Sequence, residues 1–201
     1  MSDASARTRP TALAIWMIVA GVVGWWAAFQ LTVERFQLLS DPDSALGCDF
    51  SILVQCRANL ESAQGAVFGF PNPLMGIAGW IAPLVIGVAI LAGARFAKWF
   101  WLLVNLGMLG AFAFVCWLIF QSIFVLGTLC PWCMVTWLVT IPTFYAVTLL
   151  SLRIGAIPAP ARARRAAHGL MSWVPLMAIV SYAVIVLLAQ LRLDALTNIF
   201  S

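Results

Sequence analysis

Charge is what this chain has least of. Of its 201 residues, 9% are Asp, Glu, Lys or Arg and 64% are hydrophobic, a balance that no soluble domain of this size shows. Histidine is almost absent: His168 is the only one. No haem-type ligand set is present, and no histidine lies near the cysteines to complete a mixed zinc site. No glycine-rich nucleotide-binding motif, no internal repeat and no second domain is legible. No basic groove with interleaved aromatics is present, which argues against a nucleic-acid partner. Cysteine is sparse too, with five residues, but four of them are placed in a way that matters below.

What the chain has instead is long apolar runs. Stretches of about 18 residues or more read as transmembrane helices, and five qualify: about Thr11 to Thr32, Leu74 to Gly93, Trp99 to Leu126, Pro131 to Leu152 and Leu170 to Leu191. The first is too long for a cleavable signal and lacks a small-residue cleavage site after it. Gly21 and Gly24 in this span permit close helix contact. Pro83, Pro142 and Pro175 fall inside spans and should kink them. The expected fold is an all-α integral membrane protein: a four-helix transmembrane bundle plus a fifth transmembrane helix. The divisions are a cytoplasmic tail (1–10), the four-helix domain (11–152), a connector (153–169), and the fifth helix with its tail (170–201).

The few charges orient the chain. Arg7, Arg9, Arg95, Lys98, Arg153, Arg162, Arg164 and Arg165 fall on one side if the spans alternate. Only Arg35, Arg57 and Arg192 fall on the other. The positive-inside rule therefore predicts a multi-pass cell-membrane protein with its N-terminus cytoplasmic. His168 then lies in the cytoplasm, far from the cysteines. Cys48, Cys56, Cys130 and Cys133 lie outside, in the compartment where disulfides form and persist. Cys116, mid-span, reads as a small buried hydrophobe.

Residues 34–72 form the one long extracytoplasmic loop, and a loop of that length is functional or disordered. Leu39 to Ser44 is turn-like. Leu53, Cys56, Leu60, Ala63 and Val67 recur at helical spacing, which predicts a surface half-helix lying on the membrane. Cys56 would be on its inward face, and Cys48 in a more exposed and mobile stretch before it. At Cys130-Pro131-Trp132-Cys133, Pro131 suits the first position of a helix, making Cys130 the N-cap and placing Cys133 in the first turn. Both sulfurs would feel the positive helix end, which favours a thiolate. Asn72, between two prolines at the apolar boundary, either caps the next helix or points at a ligand.

Several readings of the cysteines stand side by side. A zinc site is disfavoured because the first pair is spaced Cys-x7-Cys and no short zinc spacing repeats, so no metal is expected. Cys48 and Cys56 could form a purely structural disulfide, making the chain a non-enzymatic membrane scaffold. Alternatively, the two pairs form an exchange relay, electrons entering at the mobile pair and moving to the fixed one. With no haem, iron–sulfur or nucleotide site, a lipid-soluble quinone would be the acceptor.

Roughly the first 150 residues resemble the bacterial branch of the vitamin K epoxide reductase family. The resemblance rests on Cys48 and Cys56, Ser62, the Phe-Gly-x-Pro-x-Pro-Leu-x-Gly turn from Phe68 to Gly76, and Leu129-Cys130-Pro131-Trp132-Cys133. It implies a quinone-dependent thiol–disulfide oxidoreductase supporting disulfide formation in secreted proteins, with a menaquinone- or ubiquinone-type cofactor. It implies that Cys133 reacts with the quinone, Cys130 resolves it, Cys56 exchanges with Cys130, and Cys48 meets an extracytoplasmic thioredoxin-fold partner, here a separate protein. It places Asn72, Trp137, Ser62 and Phe68 around the quinone. Trp137 stands where animal members carry a tyrosine, so it offers an N–H in place of a hydroxyl.

Overall fold

The structure, a computed structural model, describes residues 11–194. The expected cytoplasmic tail, residues 1–10, and the last residues of the expected 170–201 segment, 195–201, lie outside the described residues. Seven α-helices follow in order: α1 (Thr11–Ser40), α2 (Arg57–Glu61), α3 (Asn72–Leu91), α4 (Lys98–Phe120), α5 (Pro131–Arg153), α6 (Ala161–Leu170) and α7 (Val174–Leu193). Among the described residues, five helices are long and apolar enough to cross a membrane. The described chain has no strand, only an isolated parallel bridge between Val54 and Leu129. The protein is thus an all-α membrane protein.

Helix ends follow local chemistry. Pro71 and Pro73 flank the start of α3 and Pro131 opens α5, positions where a missing N–H has nothing to lose. Pro175 belongs to this class too: it lies in the first turn of α7 rather than deep inside a span, so it has no helical hydrogen bond to break. Pro83 and Pro142 do lie within helices.

Three elements differ from expectation. α1 continues well past Thr32 to Ser40. The Thr32 hydroxyl donates to the Ala28 carbonyl and the Ser40 hydroxyl to that of Phe36, so these polar residues are satisfied inside the helix and do not stop it. The half-helix expected over residues 53–67 is broken. Only residues 57–61 are α-helical, because Ser62 is extended (ψ 156°) and caps a short 3-10 turn at Ala63–Ala66. Leu53, Cys56 and Leu60 are buried as expected, but Ala63 and Val67 are exposed. The connector contains a helix, α6, that the apolar runs did not announce.

The bundle has one tight seam and one loose one. α1 and α3 pack most closely, through reciprocal small residues. A methyl placed at Gly24 would lie 2.3 Å from the Trp80 ring, and one at Gly87 would lie 2.6 Å from the Ala14 carbonyl. This is helix association by backbone approach. α5 is the central and most buried span, touching α1, α4, α6 and α7. α3 and α4, though consecutive, barely meet. α7 is peripheral and is tied to α5 by Tyr182 Oη donating to the Leu138 carbonyl (2.7 Å) and by the Tyr145–Ser181 hydroxyl pair (2.9 Å). Cys116 is exposed on the outer face of α4 and is not a core residue.

Candidate active site

The space between α3 and α4 is a cavity of about 860 Å³, closed behind by α5 and above by the loop. That is within the size range of sites for drug-sized ligands. Its walls are almost wholly apolar, with Pro83, Ile86, Leu103, Met108 and Phe114 among them. Most of its polar groups gather at the loop end, namely Asn59, Ser62, Gln64, Asn72, Gln121 and Thr136, with Thr140 one turn further along α5. Cys133 and Trp137 of α5 also line it.

The loop above the cavity is built around Arg57 and Asp49. Asp49 Oδ1 accepts from the backbone N–H of Cys56 (2.8 Å) and of Arg57 (3.2 Å), acting as the cap that opens α2. The Arg57 guanidinium donates to the Pro42 carbonyl (2.6 Å), the Ser44 carbonyl and Glu61 Oε1 (3.3 Å). This knot draws the turn-rich segment inward. Cys48, expected to be exposed, is therefore 2% accessible, and it is disulfide-bonded to Cys56.

Two backbone hydrogen bonds position the pairs. Leu129 N–H donates to the Leu53 carbonyl (2.8 Å), and Gln55 N–H to the Leu129 carbonyl (3.1 Å). Gln55 and Leu129 each immediately precede a cysteine, so the bridge sets Cys56 beside Cys130. Their sulfurs are 3.3 Å apart and both residues are fully buried. Cys130 is the N-cap of α5, as its sequence context predicts, and its sulfur accepts from the Cys133 backbone N–H (3.4 Å). Cys130 and Cys133 are free thiols. The order along this line is Cys48, Cys56, Cys130, Cys133, cavity.

The remaining expected residues are all found on the cavity wall. Asn72 is not a cap, since Pro71 holds the N-cap position of α3. Instead it pins the loop: its Nδ2 donates to the Gln64 carbonyl (2.6 Å) and its Oδ1 accepts from Val67 N–H (3.1 Å). Ser62 Oγ donates to the Asn59 carbonyl (2.8 Å) and accepts from Gly65 N–H (3.1 Å). Phe68 packs against Phe70 and Phe114. Trp137 is 4% exposed, and its Nε1–H is buried without any acceptor. A buried orphan donor on an apolar cavity wall fits a ligand bearing a carbonyl oxygen, as a quinone does.

A family model described as the vitamin K epoxide reductase family matches residues 15–148. The chain belongs to that family. No curated protein and no solved structure matches it. As a member of the vitamin K epoxide reductase family it is a multi-pass membrane thiol–disulfide oxidoreductase of a type that uses quinones. The family match covers α1 to α5 up to residue 148, the elements that hold the cysteines and the cavity.

Five polar cavity residues escaped the sequence reading: Asn59, Gln64, Gln121, Thr136 and Thr140. Asn59 Nδ2 donates to Thr128 Oγ1 (3.0 Å), and Gln64 Nε2 to Gln121 Oε1 (3.2 Å), which joins the loop to the end of α4. Thr136 Oγ1 donates to the Cys133 carbonyl (2.7 Å). Thr136 carried a signal, since it lies one turn after Cys133 on the same helix face. Gln121 begins a π-helical turn, Gln121–Leu126, a feature that marks functional sites but has no simple sequence signature.

Proposed function

We propose that the protein oxidises the dithiol of an extracytoplasmic thioredoxin-fold partner and delivers the electrons to a membrane quinone. The observation that carries this reading is the 3.3 Å contact between the Cys56 and Cys130 sulfurs, with Cys133 on the cavity wall. A structural disulfide has no use for a free thiol in van der Waals contact.

The steps follow thiol–disulfide exchange. A partner thiolate attacks Cys48, forming a mixed disulfide and releasing the Cys56 thiolate; the partner's second thiol then closes its own disulfide and frees Cys48. The Cys56 thiolate attacks Cys130 of the Cys130–Cys133 disulfide and displaces Cys133. Cys48 attacks Cys56, which restores the outer disulfide and leaves Cys130 and Cys133 as a dithiol. When that pair closes again it gives up two electrons and two protons, which a quinone held against Cys133 in the cavity would take up. Cys130 is held for this exchange at the N-terminal end of α5, where its sulfur accepts from the Cys133 N–H.

Trp137 Nε1–H, buried without an acceptor, would donate to a quinone oxygen. Ser62 and Phe68 hold the rim, and Asn72 fixes the loop over the head group. The loose α3–α4 seam admits an isoprenoid tail from the lipid. Entry at Cys48 requires the segment before Val54 to swing outward. That segment presents Phe50 and Ile52, which are 73% and 92% exposed, as apolar surface for the partner. The basic residues at the far end of the spans support a cytoplasmic N-terminus and extracytoplasmic cysteines.

The test uses purified protein in lipid nanodiscs with a short-chain quinone. Cys133→Ala abolishes quinone reduction with dithiothreitol, while Cys48→Ala keeps dithiothreitol turnover and loses turnover with a thioredoxin-fold dithiol. Parent-rate quinone reduction by Cys133→Ala would refute the assignment.

A further inference from the structure

The arginine-rich end of the bundle carries a second hollow, remote from the cysteines. α5 ends at Arg153. The chain then reverses in a turn where the Ser151 carbonyl accepts from Ala156 N–H (2.9 Å) and Ile157 N–H (3.2 Å). Gly155 has φ +69°, and a methyl there would lie 3.0 Å from Arg164 Nη2. Glycine is needed twice at this position, for the turn and for the guanidinium that rests on it. α6 follows, docked through Ala167, which is 1% exposed. Arg164, Arg165 and His168 of α6 join Arg153, Ile154 and Gly169 around a hollow of about 660 Å³.

Nothing in the described chain neutralises this hollow. The ion pairs among the described residues belong to Arg57, at the opposite end. The described acids Glu34, Asp41, Asp43, Asp49, Glu61 and Asp194 also lie at the cysteine end. The positive-inside rule accounts for basic residues on this side, but it does not require three guanidiniums and an imidazole to converge on one concavity. Arg162, on the same helix, stays outside it.

We propose that this hollow binds a phosphate-bearing anion. Guanidinium forks match phosphate oxygens in paired hydrogen bonds, and basic pockets at the ends of membrane spans take anionic head groups. Leu170, the last residue of α6, and Trp173, in the turn after it, are 44% and 56% exposed and offer apolar surface beside the hollow. This makes an anionic phospholipid the favoured source of the phosphate over a soluble phosphate ester.

Native mass spectrometry of the full chain in neutral detergent, with equal phosphatidylglycerol and phosphatidylcholine, tests this. The parent protein retains phosphatidylglycerol over phosphatidylcholine by about tenfold, the size expected from a few basic contacts. The Arg164→Gln, Arg165→Gln double variant brings the ratio near unity, and Arg162→Gln leaves it unchanged. Inorganic phosphate that displaces the lipid supports the site and assigns it to soluble phosphates; lipid that resists phosphate assigns it to the head group. Absence of any preference in the parent, or an equal loss in Arg162→Gln, overturns the proposal in favour of diffuse surface charge.

Discussion

The α1–α3 seam and the α3–α4 gap use the same residue for opposite ends. At the seam, Gly21, Gly24, Gly76 and Gly87 each face a partner atom within 3 Å of where a Cβ would stand. At the gap, Gly79, Gly107 and Gly110 face nothing within 4 Å, although all three line the cavity. In lipid there is little hydrophobic drive to close a space between helices. A glycine therefore tightens a contact only where the neighbour supplies a knob. Where it does not, the missing side chain becomes cavity volume.

The sharpest way to break this contrast is to fill both kinds of position. Gly24→Val forces a branched side chain into the Trp80 ring and should destabilise the protein by about 2–3 kcal/mol, read as a fall in thermal midpoint in micelles. Gly79→Val should leave that midpoint unchanged, and equal losses would erase the distinction. Gly107→Leu then asks whether the gap is used: it should raise the quinone KM about tenfold with no loss of stability, and unchanged kinetics would remove the gap from the binding site.

The loop that closes the gap offers a smaller effect. Asn72→Ala removes two hydrogen bonds to the 64–67 segment and should cost about 1–2 kcal/mol locally. Hydrogen exchange should quicken at residues 62–68 while the amides of α1 and α3 keep their protection. Smallest of all, Trp137→Phe deletes the orphan donor. It should weaken quinone affinity about fivefold, the worth of one hydrogen bond, and slightly raise the thermal midpoint of quinone-free protein because a buried unpaired N–H is gone. A lower midpoint with unaltered affinity would mean that Trp137 only fills space.

The fold's large features were legible because they rest on short-range rules. Twenty apolar residues make a span, and Cys-Pro-x-Cys at an apolar boundary makes a capped helix start, which is how Cys130 came to be placed correctly. The misreadings came from residues whose partners are distant. Glu34 and Arg35 looked like the end of a span, yet α1 carries them within its register, with Glu34 buried between Leu31 and Leu38. Arg57 counted in the sequence as one of three basic residues on the cysteine side, and only its bonds to residues 42 and 44 reveal why Cys48 is buried. Cys116 shows the inverse error: burial in a bilayer is not burial in protein. Asn59, Gln64 and Gln121 became visible only once the fold had joined residues far apart in the chain.

The short bridge between residues 53–55 and Leu129 has a consequence for how freely this sequence can drift. It aligns the exchanging sulfurs through amide and carbonyl groups alone, and every residue but proline carries both. The side chains of Val54 and Gln55 take no part in that alignment and can change without moving the sulfurs, whereas Leu129 also fills a buried core position. The one forbidden letter is proline at 55 or 129, where the donor itself would vanish.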